Sequence, residues 1–85
     1  MKRLALVALL GFSLPALADR LPLPAGTPAS YKAECGSCHL AYPPALLSAG
    51  DWQRTMAGLN EHFGSDAAVD PKIAQEISAF LERHA

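Results

Sequence analysis

The stretch "ECGSCHLAYPP", residues 34–44, holds both cysteines of the 85-residue chain, and His39 directly follows the second of them. On a helix, residues three apart emerge on one face, so Cys35 and Cys38 would present two thiols side by side. Two thiols so placed can each add to a vinyl group of one haem while the adjacent imidazole reaches the iron. C-x-x-C-H is the attachment signature of c-type haem. This reading assigns Cys35 and Cys38 as the haem thioethers, His39 as the proximal iron ligand, and one covalent haem c as the cofactor.

Three other uses of the same residues fit less well. A thioredoxin-like redox pair would want a strand and a crossover helix around it. A disulfide between Cys35 and Cys38 would close only a tiny loop, and the stabilisation from loop closure shrinks with loop size. Zinc would need four ligands, whereas the chain offers two cysteines and three histidines at spacings that match no usual finger.

The start of the chain has the layout of a secretory signal peptide. Met1-Lys2-Arg3 is positive, "LALVALLGFSL" is apolar, and Ala16-Leu17-Ala18 is a small-residue cleavage site. The apolar run stops at Pro15, well short of the roughly 20 residues needed to cross a bilayer. Cleavage is expected after Ala18, with residues 1–18 as signal, 19–27 as an extended arm, and 28–85 as a haem-binding domain. Haem attachment outside the bacterial cytoplasm agrees with export, so a periplasmic location is expected. After cleavage, Arg20, Lys32, Arg54, Lys72 and Arg83 face eight acids, a formal charge of −3. That balance does not suggest nucleic acid, which calls for a concentrated basic surface. No second apolar span or polybasic anchor follows, so no membrane span is expected in the mature chain. Lys32, Arg54 and Lys72 are read as solvated surface charges rather than partners of haem propionates.

"DRLPLPAGTPAS", residues 19–30, has three prolines and no sustained period, which suits an unpacked arm. Thr27 before Pro28 resembles a helix start, and a first helix is expected over 28–39, stopped by Pro43-Pro44. Ser48 and Asp51 have capping-box spacing. Trp52, Met56, Leu59 and Phe63 then fall on one stripe of a second helix that Gly64 would terminate. Asp70-Pro71 opens a third helix with Ile73, Ile77, Phe80 and Leu81 on its apolar face. Tyr31, Leu40, Tyr42, Leu46 and Leu47 complete the expected core.

The fold class is therefore all-α: a small c-type cytochrome-like domain of about three helices around one covalent haem. A chain below roughly 70–80 residues seldom stabilises itself by a single apolar core, and a tethered haem adds the missing hydrophobic mass. His39 needs an acceptor for its other ring nitrogen. A backbone carbonyl of the "YPP" segment is expected to fill that role, with Pro43 the candidate.

For the position opposite His39 the chain offers Met56, His62 and His84. Methionine would raise the reduction potential and histidine would lower it, within a range of roughly 0.8 V set by axial ligation and its surroundings. Met56 lies mid-stripe, where methionine is usually filler. His84 lies next to a fraying end. His62 sits at the edge of its stripe in the last turn before Gly64, the place of a helix-capping surface histidine. Position alone does not choose among them.

The run "CGSCHLAYPPALLSAGDWQRTMAGLNEHFGSDAAVD" resembles the first haem-binding segment of the bacterial dihaem cytochrome c family. The similarity spans roughly residues 31–81 and joins C-x-x-C-H and "AYPP" to the later tryptophan and "HFG". The resemblance implies an exported electron carrier with bis-histidine haem, and so points to His62 as the distal iron ligand, with Met56 and His84 as alternatives. It also implies redox partners: a membrane-bound b-type cytochrome as donor and a small oxygen-binding c-type haem protein as acceptor. This sequence departs from the family in lacking a second C-x-x-C-H, which leaves either a single-haem relative or a shortened dihaem member.

The function expected is single-electron transfer at low potential through one haem, without catalysis. No Ser-His-Asp set, paired acids near the motif or phosphate-cradling glycine loop is present. The competing expectation is a haem-based gas-binding or sensor protein whose sixth ligand is displaceable.

Overall fold

The computed structural model describes Gly11, Ser13 and residues 22–85. Apart from Gly11 and Ser13, the signal segment expected over 1–18 and the first residues of the arm lie outside the described residues. Three α-helices follow in order: α1 Ala29–Cys35, α2 Ala49–Ala57 and α3 Pro71–His84. Short 3-10 turns at Pro44–Leu46 and Leu59–Glu61 separate them. Among the described residues there is no strand, only an isolated antiparallel bridge between His62 and Ser65. No helix among the described residues is long and apolar enough to cross a membrane.

α1 is shorter than the sequence predicts. The Thr27 hydroxyl does not cap it but donates to the Pro24 carbonyl at 2.6 Å, and Pro28 takes the N-cap position without a side-chain bond. At the other end, Gly36 and Ser37 are weak helix formers. The Gly36 N–H closes the last turn on the Lys32 carbonyl at 3.1 Å, and the Ser37 hydroxyl satisfies the Glu34 carbonyl at 2.9 Å. A β-carbon at Gly36 would collide with the Lys32 carbonyl oxygen, so the chain can make this exit only without a side chain. Cys35 therefore ends the helix, while Cys38 and His39 lie in the turn beyond it.

α2 begins where expected, with the Ser48 hydroxyl accepting the Asp51 N–H at 3.1 Å. It ends early, at Gly58, instead of running to Phe63. A mid-helix glycine costs about 1 kcal/mol relative to alanine. Here the chain has an alternative: the Leu59 carbonyl accepts the Ala67 N–H at 2.8 Å, which turns residues 59–67 back on themselves. The predicted stripe breaks as a result. Trp52 is buried and Met56 and Leu59 are half-buried, but Phe63 is 95% exposed.

α3 starts as the sequence predicts. The Asp70 carboxylate accepts the Lys72 N–H at 2.9 Å, and Pro71 occupies the first turn, where its missing N–H costs nothing. α3 is the centre of the fold, packing on α2, on the first 3-10 turn and on α1. Ile77, Phe80 and Leu81 from α3 meet Tyr31 from α1 and Trp52 from α2 in the core, with Leu23, Cys35, Ala41, Met56 and Ile73 against its edge. Leu23 gives the N-terminal arm a packed anchor that its proline content does not suggest. Leu40, Tyr42, Leu46 and Leu47, expected in the core, are exposed. They belong to the segment between Cys38 and α2, which is held to the core mainly by Pro44 and Ala41.

Candidate haem site

The site is built on two loops. Cys35 and Cys38 carry free thiols, the first half-buried and the second exposed. Burial, and then the charge of Glu34, pushes the Cys35 thiol up, so it is held as the protonated thiol at neutral pH. The Ser37 hydroxyl and the Cys38 sulfur lie 3.7 Å apart.

His39 is oriented by its own neighbour. Its Nδ1 lies 2.8 Å from the Leu40 carbonyl oxygen. A carbonyl can only accept, so Nδ1 carries the proton and the Nε2 lone pair is left for a metal. The acceptor is thus Leu40 rather than the predicted Pro43. Sequence offers no signal for this, because every residue has the same carbonyl and only the turn after Cys38 decides which one faces the ring. The Tyr42 ring lies beside the imidazole, with centroids 5.2 Å apart and planes 32° from parallel.

His62 reaches the same place from a different element. It is not in the last turn of a helix: it has extended backbone and opens a two-residue turn, exchanging hydrogen bonds with Ser65 at 2.8 and 3.0 Å. Phe63 and Gly64, the two central residues, have φ of 49° and 83°, the pattern of a type I′ turn. The Phe63 ring lies edge-on to the His62 ring at 4.8 Å. Beside this turn Arg54, Thr55, Gly58, Glu61, His62 and Phe63 line an open concavity of about 380 Å³. Arg54 is paired with Asp51 one turn earlier, and the Asp51 carboxyl is held below its usual range by the Ser48 hydrogen bond and then by Arg54.

The His39 and His62 ring centres are 6.4 Å apart, with planes 31° from parallel. Metal–imidazole bonds of about 2 Å, with about 1.1 Å from each nitrogen to its ring centre, put two opposed rings roughly 6.3 Å apart across one metal ion. The spacing fits an iron between them. The two other candidates lie on α2 and α3. Met56 is packed against the core, and the His84 ring lies 5.1 Å from that of Phe80 on α3. Trp52 donates its indole N–H to the Pro44 carbonyl at 2.7 Å and belongs to the helix packing. Among the described residues, no three His, Cys, Asp or Glu side chains gather as a conventional metal cluster.

The sequence profile of dihaem cytochrome c matches residues 31–85, the whole of the site and all but the first two residues of α1. The chain belongs to the dihaem cytochrome c family. Solved dihaem cytochromes agree. That from Rhodobacter sphaeroides is 42% identical with a TM-score of 0.68, covering 71% of this chain and 48% of that one. That from Shewanella baltica OS155 is 49% identical with a TM-score of 0.65, covering 67% and 46%. The chain thus spans about half the length of each dihaem structure. No curated protein sequence gives a match. Among the described residues, the three helices without a strand are a small all-α cytochrome c-like fold, as the sequence predicts. The family carries covalent haem c, and the residues at Cys35, Cys38 and His39 fit that group.

Proposed function

We propose that this chain is an exported c-type cytochrome that passes single electrons between redox partners. In this reading Cys35 and Cys38 would hold one haem c, and His39 and His62 would be the protein ligands to its iron. The observation that carries the reading is the 6.4 Å separation of the two imidazole centres, contributed by two loops 23 positions apart. The haem, when bound, supplies a one-electron ferric/ferrous couple. His39, with Nδ1–H committed to the Leu40 carbonyl, is a strong donor, and two histidines favour a low potential. Two histidine side chains committed to the iron would leave no open position for a substrate, which suits transfer rather than catalysis. The partners are a membrane b-type cytochrome and a small oxygen-binding c-type haem protein, docking briefly through interfaces below about 1,200 Å².

A second reading has one observation in its favour. His62 stands on a short turn beside an open concavity, a placement that suits a ligand displaced by a small gas. Optical and low-temperature EPR spectra of the haem-loaded protein, wild type beside His62→Ala, separate these. A low-spin bis-histidine spectrum that becomes high-spin in the variant is expected. A methionine-type charge-transfer band unchanged by the variant would move the ligand to Met56. A high-spin wild type, or carbon monoxide binding by the ferrous wild type without loss of fold, would favour the gas-binding protein.

A further inference from the structure

Tyr31 is 1% exposed and lies one helical turn before Cys35. Its ring tilts against Phe80 of α3, with centroids 5.1 Å apart. Its hydroxyl crosses to the next segment and donates to the carbonyl of Tyr42. That segment is the one that grips His39: the Leu40 carbonyl meets the edge of the imidazole, and the Tyr42 ring lies beside it. Apart from Ala41 at the edge of the core, residues 40–42 are exposed, and this hydroxyl ties them to the buried part of the fold.

We propose that Tyr31 is a positioning residue for His39, its hydroxyl fixing the 40–42 segment and thereby the orientation and basicity of the imidazole. The proposal rests on the reading of His39 as the iron ligand. A hydrogen bond from Nδ1–H makes the opposite nitrogen a stronger donor, and a metal ligand's outer partners tune the metal as well as place the ring. Here the acceptor itself needs placing, because Leu40 is outside any helix or strand. A tyrosine that merely filled the core would do so equally well without its oxygen.

Tyr31→Phe keeps the ring against Phe80 and removes only the donor. In the haem-loaded protein it is expected to remain low-spin, to show altered ferric EPR g-values, and to have a raised midpoint potential. The rise follows because a weaker Nδ1–H bond donates less electron density to the ferric state. A potential and g-values identical to wild type, with only the unfolding midpoint lowered, overturn the proposal. If that variant does not load haem, the hydroxyl can be tuned instead of removed. The chain has two tyrosines, so in Tyr42→Phe protein, global 3-fluorotyrosine labelling alters Tyr31 alone. The stronger donor is expected to shift the potential relative to unlabelled Tyr42→Phe, and an unmoved potential overturns the proposal. His39→Ala keeps the two failures apart. A low-spin spectrum that persists there overturns the ligand reading and this proposal with it, whereas its loss, beside an unmoved Tyr31→Phe, overturns this proposal alone.

Discussion

The indole N–H of Trp52 and the carbonyl of Pro44 are hydrogen-bonded at 2.7 Å inside the protein, joining α2 to the 3-10 turn that follows the haem-attachment motif. Trp52→Phe preserves an aromatic ring but removes one of the two donors to that carbonyl, leaving it the Leu47 N–H at 3.3 Å. The net loss of one intramolecular hydrogen bond costs about 0.5–1.5 kcal/mol. The denaturant midpoint is expected to fall accordingly, with the m-value unchanged; no loss of stability would mean that water replaces the indole.

Stability at high pH depends on Tyr31. Burial pushes its phenol up to about 12 from an ordinary 10.0, with a smaller contribution from the charge of Cys35 while that thiol is free. The folded state therefore holds the phenolic proton over a range where the unfolded chain has released it. The stabilisation is full below pH 10 and declines as pH rises toward 12. Denaturant midpoints measured across this window are expected to fall in wild type, and the part of the decline due to this group is absent in Tyr31→Phe.

Phe63 occupies a left-handed conformation that bulky side chains rarely adopt, whereas Asn-Gly is the favoured pair for a type I′ turn. Phe63→Asn is expected to tighten the turn, seen as slower amide hydrogen exchange at His62 and Ser65 in the ferrous protein. Exchange as fast as in wild type would show that the surrounding fold, not the local backbone preference, sets the turn.

Ile77 is fully buried at the centre of α3 and faces the only cluster of buried apolar side chains among the described residues. Ile77→Ala is expected to cost about 2–5 kcal/mol, the usual range for such a core truncation. In a core of five buried residues this is a large share of the total, and the thermal midpoint is the direct measure.

The parts of this protein that were legible in its sequence are those set by neighbours along the chain. Asp70-Pro71 and Ser48 mark helix starts because a cap acts within three residues, and Cys35, Cys38 and His39 form a motif for the same reason. α1 starts without the Thr27 cap that the sequence predicts: Pro28 takes the N-cap position, and the Thr27 hydroxyl is turned back to donate to the Pro24 carbonyl. α2 ends before its apolar stripe does, because the stripe continues past Gly58 while the bond from Ala67 to Leu59 that turns the chain is made across eight residues. His62 consequently lies on a turn where the periodicity predicts a helix, and the family resemblance rather than the apolar pattern points to it. The acceptor for His39 and the hydroxyl that ties down Tyr42 involve backbone carbonyls, which are alike at every position until the chain is folded.

Between the two cysteines, C-x-x-C-H is written with two interchangeable letters. In this fold they are not interchangeable. Ser37 is exposed and its hydroxyl makes only local contacts, to the Glu34 carbonyl and the Cys38 sulfur, so many side chains could stand there, whereas any β-carbon at Gly36 meets the Lys32 carbonyl. The alphabet at one position is wide and at the other has a single member, so a library randomised over both would return glycine at the first and variety at the second.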